Sequence, residues 1–251
     1  MTELVFAVLG RWYSEARRIR QWAGYFGKRR SAEEVSLDGP MVHGLNCDTN
    51  EIGRFVQFRL LPRVGTFPYP PSELMMMSAA VVSIRPEVII EWGTNIGASA
   101  RVFWDVSQHY SLGAEVHSVD LPRGASHFEH PGWKRGLLVR GTEVRLHEGD
   151  GLQTALKLLE ANAGKRALVF VDGDHAKEVV KQEAETLWEN HPTLPILFHD
   201  TYVDPIAPSA VNGPGLAIRG IVSQRPHDYV VVETSLGRPG MTLVIPKGSS
   251  E

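Results

Sequence analysis

Apolar residues fall at Val5, Leu9, Trp12, Ala16, Ile19, Ala23 and Phe26, in alternating steps of four and three, the stripe of an amphipathic helix. One long helix over the first thirty residues is predicted. Between residues 11 and 30 its polar side carries Arg11, Arg17, Arg18, Arg20, Lys28, Arg29 and Arg30 against Glu15. Such a helix suits packing on its own domain or on a second copy in a homo-oligomer. Peripheral contact with an anionic membrane surface fits it too. Residues 31–70 lose the period and hold turn signals, Asp38-Gly39-Pro40 and Phe67-Pro68-Tyr69-Pro70-Pro71, so they read as a connecting region, a lid or a substrate wall. With Ser72 as N-cap, a helix over residues 73–84 is expected to stop at Arg85-Pro86, because proline disfavours helical geometry in the residue before it.

From there, short β-rich runs alternate with helical stretches. Strands are predicted over 88–92, 116–120, 144–147, 167–172 and 196–200, and helices over 97–109, 152–161 and 176–190. A short helix over 216–223 and a hairpin pairing 229–233 with 241–245 complete the pattern. That alternation is the mark of a mostly parallel sheet with helices on both faces. The seven strands and the N-terminal helical extension define the α/β architecture expected here, with residues 1–65 as appendage and lid and 66–251 as the main domain.

Composition narrows the function. At 251 residues with 43% apolar and 22% charged content, the chain builds one large core and is not disordered. A net charge of −3 gives no field that would recruit nucleic acid, so none is expected as a partner. A single cysteine, Cys47, excludes an intramolecular disulfide and a cysteine metal site, and fits a reducing cytoplasm. The apolar run from Leu4 to Leu9 is too short for a signal peptide, and no stretch approaches the roughly 20 residues that span a bilayer.

The chemistry concentrates at strand ends. The first strand runs into Glu91-x-Gly93-x-x-x-Gly97-x-Ser99 and then a helix, a place where the backbone turns tightly and approaches a ligand. The spacing is not Gly-x-Gly-x-x-Gly, which counts against a dinucleotide. The second strand ends at Asp120, 23 residues beyond Gly97, where a carboxylate accepts hydrogen bonds from ribose hydroxyls. The third ends at Glu148-Gly149-Asp150-Gly151, where an acid meets an adenine amino group. Three strand ends thus face one crevice.

Residues 88–99 followed by Asp120, then Phe170-Val171-Asp172-Gly173-Asp174-His175 and Leu197-Phe198-His199-Asp200-Thr201, resemble the small-molecule class I methyltransferases. Among these the chain is most similar to the group of cephalosporin-hydroxylase-like and macrocin-type O-methyltransferases, over residues 66–247. The resemblance implies a Rossmann-like fold and S-adenosylmethionine as cofactor. Glu91, Gly93, Thr94, Asn95, Gly97 and Ser99 would hold its methionine part, Asp120 the ribose, and Asp150 with Gly151 the adenine. Asp172 would border the donor. Related metal-dependent sugar enzymes carry two adjacent acids where this chain has His199-Asp200.

Asp172 and Asp174 end the fourth strand, and His199 and Asp200 the fifth, so the sheet gathers them over the methyl donor. Mg²⁺ prefers oxygen ligands, which makes Asp172 and Asp200 its expected holders, with His199 either a softer third ligand or a proton acceptor. Asp174 and His175 are further candidates for the general base. Taken without the resemblance, the turn Asp172–His175 is a strand-to-helix junction in which Asp174 caps the next helix. The acceptor expected is a small hydroxylated molecule or glycan, walled by loops 123–133 and 202–215. A metal-dependent hydrolase using Asp172, Asp174, His175, His199 and Asp200, and a catalytically silent binding protein on the same fold, are the alternatives.

Overall fold

The chain divides into two units, Met1–Val42 and His43–Glu251. The computed structural model describes residues 45–126, 131–203, 213–234 and 238–247, all within the second unit. The amphipathic helix expected over the first thirty residues lies outside them.

The second unit begins with helix. Asp48 caps α1 (Thr49–Phe55) by accepting the N–H groups of Asn50 and Glu51. The chain then continues through a π-helical turn (Val56–Leu60) into α2 (Leu61–Val64). This stretch, read from sequence as a connection without a period, is helical and puts Ile52, Phe55, Val56, Leu60 and Val64 into the core. Helix α3 (Pro71–Ile84) starts two residues earlier than Ser72 capping predicts. Pro71 occupies the first helical position, where its missing N–H costs nothing and its fixed φ is already helical. The helix stops as expected, with Arg85 left-handed at φ 51° before Pro86.

The sheet contains β1 (Val88–Trp92), β2 (Glu115–Asp120), β3 (Arg145–Glu148), β4 (Ala167–Val171), β5 (Ile196–His199), β6 (Tyr229–Glu233) and β7 (Met241–Pro246). Its order is β3-β2-β1-β4-β5-β7-β6. All pairs from β3 to β5 are parallel, and β7 runs antiparallel between β5 and β6. The helices after the strands are α4 (Ala98–His109), α5 (Gly151–Ala161), α6 (Lys177–Asn190) and α7 (Gly213–Gln224).

Strand alternation sorts the core into two layers. Ile89, Leu168, Phe170, Leu197 and Leu243 face α1 to α4. Val88, Ile90, Val169, Val171, Ile196, Phe198 and Val244 face α5, α6 and α7. The strand order reverses between β1 and β4, and the crevice above that point is where open α/β sheets bind ligands. This is the Rossmann-like arrangement the sequence predicts.

Candidate active site

The turn after β1 is shaped by its neighbour. A Cβ on Gly93 would lie 1.9 Å from the carbonyl oxygen of Asp172, so the loops after β1 and β4 touch only because this residue is glycine. Asn95 at φ 45° and Gly97 at φ 87° carry the left-handed steps that lead into α4. The N–H groups of Gly93 and Thr94 donate to Val119 O, that of Asn95 to Asp120 Oδ2 at 3.0 Å, and that of Gly97 to Thr94 O at 2.7 Å. These donors are consumed within the protein, so they cannot cradle a pyrophosphate.

Asp120 is fixed at the end of β2 by Asn95 N–H on one oxygen and Leu121 N–H, at 2.8 Å, on the other. Its side chain stays partly open to the crevice. Beneath the turn, Glu91 is fully buried in β1, and Ser118 donates to its Oε1 at 2.5 Å. Burial pushes the Glu91 carboxyl up to about 8; the Ser118 and Ser99 hydroxyls oppose the rise, and the Asp172 and Asp120 charges add to it. Thr94 shares a 2.6 Å hydrogen bond with Ser118 in the same buried group. Asp120, anchored at both oxygens and partly open, can accept hydrogen bonds from a diol in the crevice.

Asp150 caps α5, accepting the Gln153 N–H at 2.8 Å. Gly151 and Gly173 both pack on Trp92, where added Cβ atoms would come within 2.5 and 2.7 Å of the indole. Glu183 on α6, a residue the sequence did not single out, lies under the same indole; burial raises it to about 7, with Asp174 and Asp150 adding to the rise.

At the ends of β4 and β5 the structure brings Asp172, His175 and Asp200 together, with one potential ligand atom of each within 4.8 Å of the others. His175 Nε2 is 3.1 Å from Asp200 Oδ2 and 3.9 Å from Asp172 Oδ1. Asp200 holds φ at 54°, a left-handed value uncommon outside glycine. Asp174 does not join them: it is exposed and accepts the Ala176 N–H at 2.7 Å, and it does not cap the next helix as the motif alone suggests, since Ala176 stands at the N-cap without a side-chain bond.

His199 lies one layer deeper. Its Nδ1 is 3.0 Å from Asp172 Oδ1, and its Nε2 is 3.1 Å from Glu73 Oε2. Burial would depress its pKa, but the facing charge of Asp172 and hydrogen bonds to Asp172, Asp200 and Glu73 push it up to about 12. Burial likewise works against the Asp172 anion. The His199 cation and donors from His175, His199 and Tyr69 overcome it and hold the carboxyl well below the usual range. Tyr69 donates its hydroxyl to Asp172 Oδ2 at 2.6 Å. Sequence reasoning missed Tyr69 and Glu73, which precede every recognisable motif.

Among the acceptor-loop residues described, Trp133 is 74% exposed. Beyond Asp200, Thr201, Tyr202, Arg219, Glu233 and Thr234 line a cavity of about 350 Å³. Among the described residues, no helix is long and apolar enough to cross a membrane.

Residues 90–201 match a family model described as a methyltransferase domain. In fold the chain is similar to TomG, an O-methyltransferase from Streptomyces achromogenes involved in tomaymycin synthesis and solved in complex with S-adenosylmethionine. The two share 16% identity over 80% of this chain and 89% of that one, with a TM-score of 0.51. It is also similar to CalS11, a calicheamicin methyltransferase, at 17% identity over 84% of this chain and 100% of that one, with a TM-score of 0.50. No curated protein matches the chain in sequence.

Proposed function

We propose that the chain, matched over residues 90–201 by a methyltransferase-domain model, is a class I, S-adenosylmethionine-dependent methyltransferase that methylates a hydroxyl oxygen of a small hydroxylated molecule or glycan, with a divalent cation such as Mg²⁺ held by Asp172 and Asp200. The observation that carries this reading is the convergence of Asp172, His175 and Asp200 beside the crevice above β1 and β4. Two carboxylates and an imidazole there supply the charge for a hard cation and a site for a proton.

S-adenosylmethionine brings the methyl group on a sulfonium, and a bound divalent cation lowers the pKa of a neighbouring hydroxyl. The chain's own residues do the rest. Asp120 takes the ribose hydroxyls, the turn from Gly93 to Gly97 with Ser99 receives the methionine part above Glu91, and Asp150 with Gly151 borders the adenine. Asp172, held anionic by His199 and Tyr69, borders the donor and needs no deprotonation before it binds a cation. His175, with its ring 41% exposed, takes the acceptor's proton next to Asp200. Fixing acceptor and methyl in line contributes roughly 7–11 kcal/mol to such a displacement. The cavity beyond Asp200, with Thr201, Arg219 and Glu233 in its wall, offers hydrogen bonds to a polyhydroxylated acceptor. TomG, an O-methyltransferase on the same fold, is consistent with oxygen as the methylated atom. A hydrolase built on this cluster would leave Asp120 and the glycine turn without a ligand.

The test is calorimetric titration with S-adenosylhomocysteine, with Mg²⁺ or a chelator present, followed by an acceptor screen. Wild type is expected to bind the nucleoside in both conditions. Asp120→Ala is expected to weaken it at least tenfold, since each charge-assisted hydrogen bond is worth about 1.5–3 kcal/mol. Asp172→Asn is expected to leave that affinity within a few-fold and to abolish the Mg²⁺ dependence of turnover. Turnover insensitive both to chelation and to Asp172→Asn would remove the cation from the reading.

A further inference from the structure

Glu73 belongs to the first turn of α3, yet is only 1% exposed. A carboxylate buried so deeply is rare unless its oxygens are paired. Here they are paired with different parts of the molecule. Oε1 accepts the backbone N–H of Gly240, just before β7, at 2.7 Å. Oε2 faces His199 Nε2 at 3.1 Å. The opposite ring nitrogen faces Asp172 Oδ1 at 3.0 Å, and Asp172 Oδ2 accepts from Tyr69 at 2.6 Å. The result is one continuous line of hydrogen bonds, from Gly240 through Glu73 and His199 to Asp172.

The residue types in that line are restrictive. Gly240 N–H can only donate, so Glu73 Oε1 must accept, while Oε2 shares a hydrogen bond with His199 Nε2. Glutamine, of the same size, has one acceptor and one donor, so the bond to the ring is reversed or one partner is left unmet. An imidazole pinned at both nitrogens cannot turn, so the aim of Nδ1 at Asp172 depends on what grips Nε2.

We propose that Glu73 is a positioning residue of the methyl-transfer site: by gripping His199 Nε2, it fixes the ring that orients the Asp172 carboxylate. This rests on the role given to Asp172 above. His199 is then a ring held at both nitrogens inside the scaffold, leaving the cation to Asp172 and Asp200 and the proton to His175.

The full-length protein labelled with ¹⁵N-histidine tests this without an acceptor. Wild type is expected to show a slowly exchanging His199 ring N–H signal that vanishes in His199→Asn, because hydrogen bonds at both nitrogens protect the ring. A ring signal in fast exchange with water overturns the proposal, and this holds even if Glu73 variants fail to fold. In Glu73→Gln, the His199 ring ¹⁵N signals are expected to shift or the Gly240 amide to exchange at least tenfold faster. Mn²⁺ affinity is expected to fall at least fivefold, with S-adenosylhomocysteine affinity within twofold. Unchanged spectra, or unchanged Mn²⁺ affinity, overturn it. If wild type binds no Mn²⁺, the cation reading falls by itself and the spectra alone decide the role of Glu73.

Discussion

A carboxyl group near the end of a fully buried strand has to be satisfied by protonation or by partners, and Glu91 shows the consequence. Its pKa rises from an ordinary 4.5 to about 8, first through burial. Between those values the folded chain holds a proton that the unfolded chain has lost, so stability falls as pH rises through this window and levels off above it. Glu91→Gln is expected to remove that part of the fall, with little effect near pH 4 and a gain near pH 9, read by denaturant unfolding across the range. An unchanged pH profile would mean that Glu91 is ionised in the fold. The strand-end residues Glu91, Asp120, Asp172 and Asp200 were legible because motifs mark strand ends. Glu73 and Tyr69 were not, since nothing local distinguishes a glutamate in a first helical turn, which ordinarily faces water, from one that reaches across the sheet to β5.

Among the elements, the five parallel strands and the helices after them lie within a few residues of where apolar periodicity puts them. The exception is the helical stretch Thr49–Phe55 with its π-helical turn, because a π turn shifts the apolar face and blurs the 3.6-residue period. Asp48 followed three residues later by Glu51 was the available signal. The loops between elements are held by contacts that sequence shows only as glycines. Gly93→Ala would drive a methyl into the Asp172 carbonyl at a left-handed position, with an expected loss of about 2 kcal/mol or more. A thermal melt checks this, and an unshifted midpoint would mean that the loops after β1 and β4 separate freely.

At the scale of the molecule, the core extends back through Ile52, Phe55, Val56, Leu60 and Val64. Burying each such side chain is worth roughly 1.5–3 kcal/mol, and five of them rival the about 5–15 kcal/mol that keeps a domain folded. A chain beginning at Thr66 is therefore expected to be unfolded or aggregated, whereas one beginning at His43 keeps its core. Circular dichroism of the two truncations checks the difference, and a cooperative melt from the shorter one would refute it. The position of β7 sets an order of events as well. β6 reaches the sheet only through β7, and β7 also carries Gly240 to its place against Glu73. On the ribosome, everything up to β5 can emerge and pair while β6 waits without a neighbour, and the grip on His199 closes only after residues 240–246 have left the exit tunnel. Until those residues are free, the nascent chain stays without its finished site.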